Sequence, residues 1–142
     1  MTGAIAQTSM TKSTIKRVSG KAVEAEGFLF RPVKCKRAGS NTECTISIIN
    51  NGNADRELEL STNQSPPSYL YDNLGNQYPV TIRIGQDTKN SGWFAQIYPP
   101  QIPINVSFMT EELHSGATNI TATISIYKFK RLVVVRDIPI TK

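Results

Sequence analysis

A chain of 142 residues, 39% hydrophobic and 19% charged, has the composition of one globular domain with a single core. No apolar run approaches the roughly 18 residues needed to cross a bilayer, so no segment is predicted to span a membrane. The net charge of +5 is concentrated at the start of the chain, because residues 1–21 contain four basic residues and no acid.

Residues 1–21 are predicted to form an extended basic arm. The segment is rich in Thr and Ser, and its sizeable apolar side chains are too few to build a core. We expect it to become ordered on an acidic partner through its charges and its apolar anchors. The residues expected to make these contacts are Lys12, Ile15, Lys16, Arg17, Val18 and Lys21. The alternative is a solvated leader without a role.

Residues 22–142 are predicted to form one β-sandwich domain. Short segments alternate apolar and polar residues and are separated by turn residues such as Asn50-Asn51-Gly52, which is typical of strands with one buried face. In chain order the strands are predicted at 23–35, 44–49, 56–60, 69–72, 77–84, 93–98, 104–109, 119–129 and 132–138. About nine strands, with no helical pattern long enough for a crossover, predict an all-β, antiparallel, Ig-like sandwich.

Cys35 and Cys44 are the only two cysteines and flank the first predicted hairpin loop. Cys35 is in phase with Val33 and Cys44 is in phase with Ile46, so both sulfurs are expected on one face of the sheet. We expect a disulfide, which would indicate an oxidising compartment. The alternative is a pair of reduced thiols in the core.

Several aromatic residues form a candidate ligand platform. Exposed rings stack on sugars or bases. The candidates are Tyr69, Tyr71, Trp93 and Tyr98. The alternative is that most of these rings belong to the core.

No motif indicates catalysis or a metal site. The chain has no Gly-x-Ser-x-Gly elbow and no Gly-rich phosphate loop, and His114, its one histidine, is expected in a surface turn. Residues 72–76 carry oxygen side chains but lack calcium-loop spacing, so they predict a hairpin turn. The sequence therefore predicts a protein that is not an enzyme and needs no cofactor or metal.

The order of these elements resembles two groups of known proteins. The positions that carry the resemblance, within residues 25–140, are Phe28 and Phe30, Cys35, the run 44–48, the turn 50–52, residues 55–58, the run 69–72 with Gly75 and Asn76, and residues 129–140. They resemble a small Ig-like module of cyanobacterial envelope and secreted proteins, which implies no catalysis and brings no known site. The Met1 start without an intact leader departs from a secreted member, and it makes the chain similar also to Ig-like decoration, tail and neck proteins of bacteriophages.

The function predicted from the sequence is structural. We expect a non-catalytic protein of a virion or cell envelope that docks on neighbouring subunits, in a homo- or hetero-oligomer, through its sandwich and its arm. An extracellular, periplasmic or virion location follows from the same interpretation. The alternative is a secreted carbohydrate-binding module that uses the exposed aromatic residues. Nucleic acid is a less favoured partner, because residues 22–142 carry a net charge of only +1.

Overall fold

The computed structural model describes residues 21–142, which form an all-β domain. This confirms the predicted all-β, sandwich-like fold class. The twelve strands within this range are β1 Val23–Ala25, β2 Phe28–Ala38, β3 Asn41–Asn50, β4 Arg56–Ser61, β5 Tyr69–Asp72, β6 Gln77–Pro79, β7 Thr81–Ile84, β8 Asp87–Lys89, β9 Trp93–Tyr98, β10 Ile104–Thr110, β11 Asn119–Ile124 and β12 Val133–Thr141.

The three strands beyond the predicted nine are short, and local turns produce two of them. Glu26 and Gly27 both have positive φ angles, of 50° and 84°, which divides the first predicted strand into β1 and β2. Gly85 has a φ angle of 61°, which glycine adopts without strain, and it reverses the chain so that β8 pairs with β7. The third arises because the predicted strand 77–84 divides after Pro79 into β6 and β7.

The largest group of paired strands runs β6-β5-β11-β12-β2-β3-β10-β7-β8, with β1 on β2. Most neighbours are antiparallel, but β12 pairs in parallel with β2 through Ile140 opposite Cys35 and Thr141 opposite Lys36. This parallel contact joins the β5–β11–β12 part of the fold to the β2–β3–β10 part. Buried aliphatic and aromatic side chains from both parts meet in one core, in which Phe28, Ile46 and Ile120 are fully buried.

A bulge in β2 changes the phase expected from the sequence. The register shifts between Pro32 and Lys34, so that Val33 has no partner on β3 and is 44% exposed. The expectation that Val33 and Cys35 share one face is therefore wrong. Pro32 lacks a backbone N–H for the ladder, and a bulge is one of the few places where a sheet accepts it.

Strands β4 and β9 form a separate small sheet. It is extended on the β4 side by the segment 125–127, because Ser61 N–H donates to Ser125 O (2.8 Å) and Tyr127 N–H donates to Glu59 O (2.9 Å). Leu58, Leu60 and Phe94 bury their side chains on the inner face of this sheet. The small sheet, as used below, means β4, β9 and residues 125–127.

Candidate functional site

The outer face of the small sheet combines exposed apolar and acidic side chains. In β4 the residues alternate, so Leu58 and Leu60 point inwards while Glu57 and Glu59 are directed outwards. Across the ladder, Glu57 lies opposite Ile97 and Glu59 lies opposite Ala95. Ile97 is 47% exposed although it is a large aliphatic residue in the middle of a strand. This face therefore presents an exposed aliphatic side chain beside an acidic one.

Strand β9 is also an edge strand. Within residues 21–142 it pairs with β4 on one side only. On its open side the Ile97 carbonyl accepts only a hydrogen bond from the side chain of Gln96 (3.2 Å). An edge of this kind presents unpaired backbone groups to which another extended chain can pair.

Acidic residues gather at the end of the small sheet that contains Glu57. Strand β1 and the Glu26–Gly27 turn meet the start of β4, because Arg56 Nη1 donates to Glu26 O (2.8 Å). The Arg56 guanidinium also lies 4.4 Å from the centre of the Phe28 ring. Glu24 lies on β1, Glu26 lies in the turn that accepts the hydrogen bond from Arg56, and Asp55 and Glu57 stand on either side of Arg56 in the sequence. These four acidic residues are called the acidic end below.

The opposite end of the small sheet is aromatic and basic. Trp93 and Tyr127 form an edge-to-face pair with ring centres 5.5 Å apart, and Tyr127 is 51% exposed. Lys128 Nζ lies 5.7 Å from the centre of the Tyr127 ring. Tyr127 is not among the predicted platform residues, because the sequence predicts one continuous strand over residues 119–129. The run of basic residues that follows it, Lys128, Lys130 and Arg131, was the available signal.

The predicted aromatic platform needs correction. Tyr98 is fully buried, its ring contacts Phe28 edge-to-face at 6.0 Å, and its hydroxyl has no hydrogen-bond partner within the described range. Burial raises the pKa of the Tyr98 phenol. Tyr98 therefore belongs to the core, because the period of β9 directs it to the same face as Phe94.

Tyr69 and Tyr71 lie together on β5, away from the strand that carries Trp93. Their ring centres are 6.1 Å apart, and both side chains are half-buried. The Tyr71 hydroxyl accepts a hydrogen bond from Gln77 Nε2 (2.7 Å). The structure thus gives Trp93 a different partner, Tyr127, from the tyrosines that the sequence suggested.

The predicted disulfide is confirmed. Cys35 and Cys44 are direct partners in the β2–β3 ladder, and their sulfurs are bonded. Both residues are fully buried. The bond makes their thiolates unavailable as metal ligands.

The predicted arm lies almost entirely outside the described residues. Lys12, Ile15, Lys16, Arg17 and Val18 fall there, whereas Lys21 is exposed immediately before β1. The arm therefore joins the domain at β1, the strand that carries Glu24.

The turn after β5 is held by a single carboxylate. Asp72 Oδ1 accepts hydrogen bonds from the N–H groups of Leu74 (2.8 Å) and Asn76 (2.9 Å), and Oδ2 accepts from Asn76 Nδ2 (2.9 Å) and the Tyr78 hydroxyl (2.7 Å). Burial raises the pKa of Asp72, but these hydrogen bonds outweigh it and lower the pKa to about 2. Gly75 has a φ angle of 92°, as the turn requires. This geometry is that of a hairpin turn.

A groove of about 1000 Å³ lies beside the ends of β3 and β10. Its lining includes Glu43, but that carboxylate accepts hydrogen bonds from Arg83 and from the Ser107 hydroxyl. His114 lies on an exposed turn nearby, and its Nδ1 accepts a hydrogen bond from Gly116 N–H (2.9 Å). These groups are therefore used to hold the local structure.

Comparisons with known proteins inform the fold alone. No family model matches the chain, and no curated protein matches it. A solved structure of an apo PCuAC domain from PmoF1 is similar to it, with 15% sequence identity and a TM-score of 0.50, over 84% of this chain and 99% of that one. Residues 21–142 contain no group of three or more His, Cys, Asp or Glu placed to hold a metal ion. The described residues also include no helix that is long and apolar enough to cross a membrane.

Proposed function

We propose that this chain is a non-catalytic assembly protein that docks on neighbouring subunits through its sandwich and its basic arm. The observation that carries the proposal is the outer face of the small sheet. There an exposed Ile97 on an open strand edge adjoins the acidic end. The same chain supplies a segment of opposite charge with apolar anchors.

Charge complementarity favours a second copy of the chain as the neighbour. Residues 1–21 carry four basic side chains and no acid, whereas the acidic end has four acidic residues and one basic residue, Arg56. Interfaces that place opposite charges together gain in specificity and in rate of association. Since both complementary parts occur in one chain, one copy can supply the arm and the next copy the face. Such head-to-tail contacts build rings or filaments.

Strand addition at β9 would supply the remaining contacts. An extended segment that pairs with the open edge gains main-chain hydrogen bonds, and its alternate side chains reach the face of the sheet. Ile15 and Val18 are the apolar side chains nearest the basic cluster Lys16–Arg17 in the arm. In the proposed complex they cover Ile97, while the basic residues meet Glu57 and Glu59.

The setting is a virion or a cell envelope, in an extracellular or periplasmic compartment. The disulfide between Cys35 and Cys44 supports this, because disulfides persist mainly outside the reducing cytosol. The resemblance of the sequence pattern to envelope modules and to phage decoration and tail proteins implies the same setting.

The test is the native mass of the full chain, measured by light scattering over a range of concentrations. We expect an oligomer that dissociates when Lys12, Lys16, Arg17 and Lys21 are replaced by Glu. A matched variant with Arg31, Lys34, Lys36 and Lys89 replaced by Glu makes the same change of charge on exposed strand residues and retains the oligomer. A monomer at every concentration, or equal dissociation of both variants, would refute docking through the arm.

The alternative is a secreted carbohydrate-binding module, and the pair of half-buried Trp93 with exposed Tyr127 favours it. It predicts a monomer whose Trp93 fluorescence changes when a glycan binds. The two functions use opposite ends of the small sheet, so the mass measurement does not decide whether the aromatic end binds a ligand.

A further inference from the structure

The aromatic end of the small sheet opens into a groove of about 290 Å³. One wall is formed by Trp93 and Tyr127, and the other by the loop that carries Lys128, Lys130 and Arg131. The volume lies at the lower end of the range for small-molecule pockets, so the groove would hold a short stretch of a longer ligand.

The basic side chains of this loop are free of internal ion pairs. The Arg83–Glu43 pair is the one salt bridge found among residues 21–142, and Lys128, Lys130 and Arg131 are all exposed. No acidic residue occurs between Glu112 and Asp137, so β11 and the loop contribute no carboxylate, and Asp137 in β12 is six residues beyond Arg131. The nearest acid of the small sheet is Glu59, whose carbonyl accepts the hydrogen bond from Tyr127 N–H.

The backbone of the loop is held in a tight turn. Lys128 has a φ angle of 73°, a conformation that residues other than glycine rarely adopt, and Phe129 N–H donates to Ile126 O (3.0 Å). The turn places the Lys128 ammonium near the Tyr127 ring, so that the loop lies next to the aromatic pair. The charges are therefore positioned beside the rings.

We propose that this groove binds an acidic saccharide chain. Sugar rings pack their C–H faces against Trp93 and Tyr127, and the carboxylates or sulfates of the chain pair with Lys130 and Arg131. Single-stranded nucleic acid fits this groove less well. The two rings are arranged edge-to-face at 65°, so they offer no row of parallel surfaces on which successive bases could stack. The site uses different side chains from the assembly role, which was assigned to Glu57, Glu59 and Ile97.

The test is fluorescence titration of the full chain with oligouronates, using neutral gluco-oligosaccharides of equal length for comparison. Trp93 is the only tryptophan, so its emission reports on this groove directly. We expect the emission to change with the oligouronate and not with the neutral glycan. Added salt should weaken the interaction.

Variants separate this groove from the other basic parts of the chain. K130E/R131E should weaken binding by about tenfold or more, the equivalent of about 1.4 kcal/mol. The matched variant K34E/K36E, at exposed positions on β2, should bind as the unchanged protein does. Native mass, which K130E/R131E should not alter, distinguishes failure here from failure of the assembly proposal.

Three results would overturn the proposal. They are an unchanged emission with oligouronate, an equal response to the neutral glycan, and tighter binding of an oligothymidylate than of the oligouronate.

Discussion

Glu57 lies directly opposite Ile97 across the small sheet, so that a carboxylate and an exposed aliphatic side chain form one cross-strand pair at an open edge. Cross-strand pairs are normally stabilised by two opposite charges or by contact between two apolar side chains, and Glu57 with Ile97 provides neither. The pair therefore contributes little to the fold within one copy. We interpret it as half of an interface that a basic, apolar segment completes.

Replacing Ile97 with Asp should abolish assembly and leave the domain stable. Substitution of a half-exposed side chain usually changes the free energy of unfolding by within about 0.5 kcal/mol, whereas a buried carboxylate in the proposed interface is costly. Light scattering gives the mass, and thermal unfolding gives the stability. Leu74→Asp, at a 52% exposed position in the Asp72 turn, is the control and should keep the native mass. An oligomer that survives Ile97→Asp would exclude this face.

Replacing both Cys35 and Cys44 with Ala should lower the free energy of unfolding by about 2–3 kcal/mol, because the bond closes a short loop in the unfolded chain. The two residues are nine positions apart. Denaturant titration measures the change. A reducing agent should produce the same loss in the unchanged protein and none in the variant, and equal stability of all four samples would contradict the expectation.

Acid should destabilise the fold through Asp72. Its pKa is about 2 in the folded chain against an ordinary value of 3.8, so the ionised form is favoured by folding. The resulting contribution, about 2 kcal/mol, is complete above about pH 4 and is lost as the pH falls towards 2. Asp72→Asn should therefore be less stable than the unchanged protein at pH 6 and approach it near pH 2. Asp87→Asn, on exposed β8, should follow the unchanged protein at every pH.

Asn50 should be a sensitive polar position in the core. Its side chain is fully buried, with Nδ2 donating to Ala54 O and Tyr98 O (both 2.8 Å) and Oδ1 accepting from Gly52 N–H (2.8 Å). Asn50→Leu leaves these groups without partners and should cost about 2–4 kcal/mol. Denaturant titration of Asn50→Leu against Asn51→Leu, its exposed neighbour, provides the comparison. Equal stability of the two variants would show that the network is dispensable.

The sequence was sufficient where local periodicity decides the structure. The alternation in β3 and the turns beside it predicted the strand, and with it the partner of Cys44. It failed at Val33, because one bulged residue reverses the faces of a strand without changing the pattern of residue types. It failed for Tyr98 because period two tells which residues share a face but not which face is buried.

The site itself depends on contacts between parts that are distant in the chain. Glu26 and Arg56 meet only when β1 and β4 come together, and Trp93 and Tyr127 meet only across the small sheet. No spacing of residues in the sequence predicts either contact. The composition predicts only the charge of the arm. The acidic end could be located only from the fold.

The most direct test of the assembly account is a charge exchange between the arm and the two outward glutamates of β4. Native mass would be measured by light scattering for E57K/E59K, for K16E/R17E and for the variant that combines all four changes. The account predicts that each double variant dissociates and that the combined variant regains the oligomer, because the opposite charges are restored with reversed signs. Dissociation in all three, or no dissociation in any, would contradict docking of the arm on this face.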